Sequence, residues 1–311
     1  MKTLVTGRAG FIGSHLVDSL VAQGHEVVVL DDLSTGLKEN INSGADLIEG
    51  SVADEDAVRA ALVGAELVFH QAALGSVQRS VEHPIGSDTV NTQGTLTILK
   101  AALDAGVRRV VCASSSSVYG GAEGLPTPES AALVPRSPYA VTKFAGEQYC
   151  RVFSESFSLQ TVALRYFNIF GPRQRPDSAY AAVIPLFIDA LMNGRHPTVQ
   201  GHGRQSRDFT YVSNAVAANL LAGTAPAAAC SGHAYNVAAG RRWSVLELLA
   251  AIGQITGVAP DPVFAPRRPG DVRHSQADIT AARHDLGYEP LIELVDGLRE
   301  TVRWFRSPGQ M

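Results

Sequence analysis

Residues Lys2 to His15 read KTLVTGRAGFIGSH, and this stretch constrains the chain most. A short apolar run ends at Thr6. Gly7, Gly10 and Gly13 follow with G-x-x-G-x-x-G spacing, and an amphipathic segment runs from Phe11 to Val21. The order is strand, tight turn, helix. Gly7 permits the turn, Gly10 allows backbone to approach a pyrophosphate, and Gly13 lets the helix pack on the strand. The first helical turn offers unpaired N–H groups and the positive end of its dipole to phosphate. Glycine triplets also occur in ordinary turns, so the flanking elements carry the argument. A second apolar run, Val27 to Leu30, ends in Asp31 and Asp32. An acid there accepts hydrogen bonds from an adenosine ribose and repels a 2′-phosphate. Strand, glycine loop, helix, strand and acid predict a dinucleotide site for NAD rather than NADP.

The rest of the N-terminal half repeats the alternation. Strands are predicted at Thr3–Thr6, Glu26–Leu30, Asp46–Glu49, Leu67–His70, Val110–Ala113 and Thr161–Tyr166. Helices are predicted at Asp54–Leu62, Thr89–Asp104 and Pro138–Ser156. Alternating strands and helices imply parallel strands joined by right-handed crossovers. Continuous apolar strands imply a sheet covered on both faces. The expected fold class is α/β: a Rossmann-type, doubly wound parallel sheet with a smaller C-terminal substrate-binding region. Residues 1–171 are assigned mainly to NAD binding and 172–311 mainly to substrate, with some chain exchange between them. After Gly171, prolines and glycines break the alternation. Ser244 and Glu247 have capping-box spacing. Gly287 suits a helix C-cap. Glu293–Phe305 reads as a final helix, and Ala225–Ala229 as a loop.

With 311 residues, 45% of them hydrophobic, the chain is long enough for a sizeable core. A net charge of -4 without a basic block argues against nucleic acid and anionic membranes as partners. The 3 cysteines, Cys112, Cys150 and Cys230, are too dispersed for a disulfide framework or a metal site, so no metal is expected. No signal peptide or membrane-length apolar run is visible, and a cytoplasmic location is expected.

Tyr139 and Lys143 are four residues apart, on one face of a predicted helix. A phenol is normally protonated near neutrality, and a nearby ammonium favours its phenolate. The pair therefore suits a general base acting on a sugar hydroxyl, with the lysine also reaching a nicotinamide ribose. Y-x-x-x-K alone is common on helices. Ser114 to Ser117, then Val118-Tyr119-Gly120, close one predicted strand. Arg165 to Asn168 close another. Both stretches fall at the carboxyl edge of the sheet, where open α/β folds bind ligands.

With these residues in place, the chain resembles an extended short-chain dehydrogenase/reductase of the nucleotide-sugar epimerase and dehydratase group. The similarity runs over nearly the whole length. It includes TGRAGFIGSH, HQAALGSVQRS, SSSSVYG, SPYAVTK, RYFNIFGPRQRPDSAYAAVIP, RQSRDFTYV, RPGDVRHSQAD and LGYEP. The resemblance implies Ser115 as the hydroxyl that steadies the substrate oxygen, Tyr139 as base and Lys143 as its partner. It implies a cofactor site of Gly7, Gly10, Phe11, Ile12, Gly13, Asp31, Asp32, Val52, Ala72, Ala73 and Asn91, together with Tyr139 and Lys143. Relatives place an adenine-binding Asp after the third strand, where this chain has Ser51. Arg8 replaces a small residue in the glycine loop; covering the pyrophosphate and projecting outward are both open to it.

Related 4,6-dehydratases carry Asp-Glu after the catalytic hydroxyl, and decarboxylating relatives keep a Glu. Here those positions are Ser116 and Ser117, which cannot serve as carboxyl acids or bases. The chemistry left is oxidation at C4 and re-reduction, as in a 4-epimerase. The resemblance further implies a UDP-sugar substrate. Ala182 and Val183 would lie at the uracil, Arg207 and Arg268 at the diphosphate, and Asp271 at the ribose. Asn168 belongs to the same substrate set. Sugar choice would rest on Gly75, Ser76, Gln174 and Ser275. Glucose-restricted epimerases hold a bulky Tyr at the position of Ser275, so a small residue leaves room for an N-acetyl group. Gly171–Pro176 also resembles UDP-glucuronate 4-epimerases, with Arg173 or Arg175 available to a carboxylate. A reductase and a non-catalytic NAD sensor are further readings; Asp31 counts against the first and the Tyr139–Lys143 pair against the second. A homodimer built on Thr92–Leu103 and Tyr139–Phe153 is implied, with Leu96, Leu99, Phe144 and Val152 compatible with the contact.

Overall fold

The computed structural model describes residues 1–121, 124–267 and 272–307. Strand β1 (Lys2–Thr6) leads through the glycine loop to α1 (Phe11–Ala22). Strands β2 (Glu26–Asp31) and β3 (Ala45–Glu49) follow, then α2 (Glu55–Ala61) and β4 (Leu67–His70). Short helices α3 (Val77–Glu82) and α4 (Pro84–Asp88) precede α5 (Gly94–Asp104). Then come β5 (Arg109–Ser115), α6 (Pro138–Phe157) and β6 (Gln160–Tyr166). Each predicted strand is present, with no end moved by more than two residues.

All strands of the main sheet are parallel, and β1 lies between β2 and β4. From one edge the order is β3, β2, β1, β4, β5, β6, and then a strand at His233–Val237. The chain direction of winding reverses between β1 and β4, which opens the crevice where doubly wound sheets take ligands. Successive strand residues point to opposite faces. Val5, Val29 and Val111 accordingly pack with α1 residues Leu16 and Leu20 on one face. Leu4, Val28 and Val110 pack with Ile98 and Leu99 of α5 on the other. A separate core in the later chain gathers Phe187, Ile188, Leu248, Leu298 and Phe305.

Three expectations are corrected. His233–Val237 pairs in parallel with β6 and completes the sheet, although it lies beyond residue 171 and no strand was predicted there. Ala227–Cys230 forms a short helix that overlaps the stretch read as a loop, Ala225–Ala229. The predicted helix Thr89–Asp104 begins as a π-helical turn, Thr89–Gln93, before α5. Elsewhere the local chemistry acts as read. Ser244 and Glu247 complete a capping box on helix Val245–Thr256, and Gly287 ends helix Thr280–Leu286 in the left-handed conformation.

Candidate active site

A cavity of about 1830 Å³ runs along the carboxyl edge of the sheet. Single-ligand pockets fall near ~300–1,000 Å³, so this one has room for two extended ligands. At one end lie Gly7, Gly10, Phe11, Ile12 and Gly13, with Asp31, Asp32 and Val52 beside them. Gly7 has a φ of 72°, and a Cβ there would stand 2.5 Å from the Ala72 backbone. A Cβ on Gly13 would meet the Gly7 carbonyl at 2.5 Å. The first glycine thus lets β1 and β4 approach through the loops carrying Ala72, and the third seats α1 on the turn. Asp31 accepts hydrogen bonds from Ala9 N and Leu33 N, both at 2.8 Å. Burial raises its pKa and these two N–H groups oppose the rise. The residues present fit a dinucleotide, with a glycine cradle for the pyrophosphate and an acid for the ribose.

Next along the cavity come Ala72 and Ala73, then Ser115, Tyr139 and Lys143. Ser115 ends β5, and its Oγ accepts from Ser117 N at 3.2 Å. Ser137 caps α6 through Ala140 N, and Pro138 fills the first helical position, which fixes where the helix starts. The buried Ser80 hydroxyl accepts from Tyr139 N at 3.0 Å, a second restraint on that start. Lys143 Nζ donates to Ala113 O at 2.8 Å and lies 6.0 Å from the Tyr139 ring centroid. Burial pushes the Tyr139 phenol up, and its hydrogen bond with Ser115 offsets part of that rise. Burial brings Lys143 down to about 8, opposed by Cys112, Cys150 and Glu147. The arrangement is a hydroxyl, a phenol and an ammonium on converging elements, able to exchange a proton with one bound hydroxyl group.

The far end is lined by Gly75, Ser76, Asn168, Gln174, Ala182, Val183, Arg207 and Ser275. The Oγ of Ser275, the Oγ of Ser117 and the Oε1 of Gln174 are buried without a hydrogen-bond partner among the described residues. Gln174 Nε2 donates to Ile169 O, and Asn168 Nδ2 donates to Asp208 O. Ser76 caps α3 through Arg79 N. Arg268 and Asp271 lie outside the described residues.

Several side chains sit differently from the sequence reading. Asn91 is buried away from the cavity wall. It accepts from Leu74 N and donates to Thr142 Oγ1, so it bridges the Ala72–Leu74 loop and α6. The π turn places it there. Ser51 spends its hydroxyl on Ala53 N, while its neighbours Gly50 and Val52 line the cavity. Arg8 does not project outward: it is fully buried beside Asp18 and Arg173, and burial brings it down to about 10. Arg173 is paired with Asp18 at 2.7 Å, and Arg175 with Asp177. Sequence reasoning missed Ser80, Arg79 and Tyr180. Tyr180 donates to Glu82 at 2.6 Å with Arg79 over its ring, joining α3 to the 173–182 loop at the cavity wall. No spacing signal marks that contact.

A family model described as "NAD dependent epimerase/dehydratase family" matches residues 3–238. The chain belongs to this family. It is 43% identical, over 100% of both chains, to a UDP-glucose 4-epimerase of Mycolicibacterium smegmatis. Among solved structures it is similar to the UDP-glucose 4-epimerase of Thermotoga maritima with UDP-glucose. That match has a TM-score of 0.94 and 38% identity over 98% of this chain and 99% of the other. It is also similar to the UDP-N-acetylglucosamine 4-epimerase of Methanobrevibacter ruminantium in complex with UDP-N-acetylmuramic acid. Here the TM-score is 0.93 and the identity 39%, over 98% and 97% of the two chains. As a family member the protein uses NAD, and the glycine cradle and Asp31 are where its own residues fit that cofactor.

Beneath the site, His70 is fully enclosed. Its Nδ1 lies 2.8 Å from Thr6 Oγ1 and its Nε2 lies 3.0 Å from Thr95 Oγ1. Thr95 already donates to Asn91 O, so the His70 proton sits on Nε2. Burial and the Lys143 charge lower its pKa to about 3. The unfolded chain therefore binds a proton near pH 6.5 that the folded chain refuses. Stability from this group is complete above pH 6.5 and is lost as pH falls towards 3. Between pH 7.5 and 5 the loss is about 2 kcal/mol. Urea unfolding at both pH values, for wild type and His70→Gln, checks this: the variant should lose less on acidification, and equal losses would refute it.

Proposed function

We infer that the protein is an NAD-dependent 4-epimerase of UDP-sugars. The observation that carries the reading is the Ser115–Tyr139–Lys143 arrangement on a serine turn that bears no carboxyl group. Ser116 and Ser117 stand at the turn, and the cavity-lining acids Asp31, Asp32, Glu82 and Asp189 belong to other segments. Abstraction and return of a proton at a sugar hydroxyl are available; acid-assisted loss of water is not.

When bound, NAD would supply the hydride chemistry at C4 of the sugar, removal from one face and return to the other. Tyr139 takes the C4 hydroxyl proton as that carbon becomes a ketone, and returns it afterwards. Ser115 holds the C4 oxygen. Lys143 favours the phenolate and orients the nicotinamide ribose. Ala182 and Val183 are assigned to the uracil, and Arg207 to the diphosphate together with Arg268 and Asp271. Gly75, Ser76, Asn168, Gln174 and Ser275 are assigned to the sugar. Residues 1–171 with strand His233–Val237 supply the cofactor half, and most of 172–311 the substrate half.

The small Ser275 side chain supports UDP-N-acetylglucosamine and UDP-N-acetylgalactosamine alongside UDP-glucose and UDP-galactose. The glucuronate reading is weakened, because Arg173 and Arg175 are each held by an aspartate. Incubating the NAD-bound protein with UDP-glucose, UDP-N-acetylglucosamine and UDP-glucuronate, followed by NMR, tests this. C4-inverted products from the first two are expected. Inversion of the glucuronate alone would overturn the substrate assignment, and a 4-keto-6-deoxy product would overturn the reaction.

The reading includes a homodimer. Val141 and Val152 on α6 are solvent-exposed apolar residues available to a partner copy, whereas Leu99 is fully buried in the core. Sedimentation at micromolar concentration should give twice the chain mass; a monomer would count against the interface. No described helix is long and apolar enough to cross a membrane. The three buried free thiols suit a reducing cytoplasm.

A further inference from the structure

Glu147 is a buried acid for which the reaction outlined above has no use. It stands one turn beyond Lys143 and two beyond Tyr139, on the same side of α6. Its carboxylate is nearly closed to solvent and accepts from three donors. The Ser114 hydroxyl reaches it from β5. Arg165 Nε and Nη2 reach it from β6 at 2.9 and 2.8 Å. Arg165 in turn donates to Tyr119 Oη at 2.8 Å and Glu129 O at 2.9 Å. One carboxylate therefore ties the helix that carries the phenol and the ammonium to the strand that ends in Ser115.

The same group acts on Lys143 through space. Among the described residues, the titratable groups facing Lys143 are Cys112 on β5, Tyr139, Cys150 and Glu147 on α6, and His70 on β4. Glu147 is the carboxylate of that set among the described residues, one turn from Lys143 on the same helix. Its pairing with Arg165 fixes that charge in place, because a bidentate guanidinium permits little rotation of a carboxylate.

We propose that Glu147 is a positioning residue, which sets Tyr139 and Lys143 against Ser115 by tying α6 to β5 and β6. The proposal rests on the 4-epimerase reading for its kinetic consequence and on the ties of Glu147 to Ser114 and Arg165 for the placement of the helix that carries Lys143.

Glu147→Gln in the NAD-bound protein keeps the shape and removes the charge. Titration of the Lys143 ε-carbon by NMR should show its midpoint lowered by about one pH unit, since one unit is the scale of a single neighbouring charge. The alkaline limb of kcat should move with it, and kcat at pH 8 should fall roughly tenfold while KM for the UDP-sugar stays within about twofold. Glu147→Asp, which keeps the charge on a shorter arm, should restore the Lys143 midpoint. An unchanged midpoint and unchanged kcat, with only a lower melting temperature, would reduce Glu147 to a structural ion pair and overturn the proposal. If Glu147→Gln does not fold, Ser114→Ala decides: it leaves the Arg165 pair intact and should lower kcat several-fold, and an unchanged kcat would overturn the positioning role. The NMR titration needs no turnover, so a wild type that inverts no UDP-sugar would refute the functional reading separately.

Discussion

Tyr139→Phe should lower turnover of every UDP-sugar by about 10³-fold, within the range by which a positioned general base contributes. The change deletes one oxygen. That oxygen is hydrogen-bonded to Ser115 and is the group assigned to take the substrate proton. The ring stays, with its packing, and the Tyr139 backbone remains fixed by Ser80 and by the Ser137 cap. Fold and NAD content should therefore match wild type, and KM should move little. A fall in kcat and kcat/KM by the same factor is the signature of a group used only in the transition state. Ser115→Ala should be milder, because the phenol and Lys143 remain. Near-normal turnover in Tyr139→Phe would remove the mechanism. Loss of bound NAD in the variant would reassign Tyr139 to cofactor binding instead.

The legible parts of this protein are those with a local signal. The glycine loop, the alternation up to Tyr166 and the acid after β2 each follow from spacing and hydrophobic run length, and the structure has each of them. The strand His233–Val237 escapes because its signal is broken by Asn236. That side chain is fully buried and satisfied non-locally: it accepts from Tyr119 Oη and donates to Thr127 O and Asp278 O. A polar residue in a five-residue run reads as a loop until its partners, 42 to 117 residues away, are known. The π turn at Thr89–Gln93 is invisible for a similar reason, since it exists to bring Asn91 onto Leu74 and Thr142 from other elements.

The site divides in the same way. Ser115, Tyr139 and Lys143 converge as their spacing and resemblance imply. What holds them there does not show in spacing, because Ser80, Glu147 and Arg165 act through contacts that only the folded chain creates. Arg173 and Arg175 line the cavity, as a role at a carboxylate requires, and each also pairs with an aspartate, Asp18 or Asp177.

Ser275→Tyr should depress turnover of UDP-N-acetylglucosamine at least tenfold more than turnover of UDP-glucose. Ser275 sits in a segment fixed on both sides. Ser206 N donates to Arg273 O at 3.1 Å, Ser275 N donates to Ser206 O at 3.0 Å, and Ala277 N donates to the Asp208 carboxylate at 3.1 Å. The backbone at Ser275 thus has little room to retreat from a larger side chain. Its Oγ is buried, without a partner among the described residues, and on the cavity wall, so a ring there would grow into the space of the substrate. Overpacking costs about 1–3 kcal/mol, and about 1.4 kcal/mol is a tenfold change in a rate ratio. An N-acetyl group needs that volume, whereas the hydroxyl of a plain hexose does not. The discrimination should appear in kcat/KM and grow with the bulk of the 2-substituent. Equal losses for both sugars would mean that Ser275 serves only to hold its segment on Ser206. The sugar preference would then lie with Gly75, Ser76 or Gln174 on the other walls of the cavity.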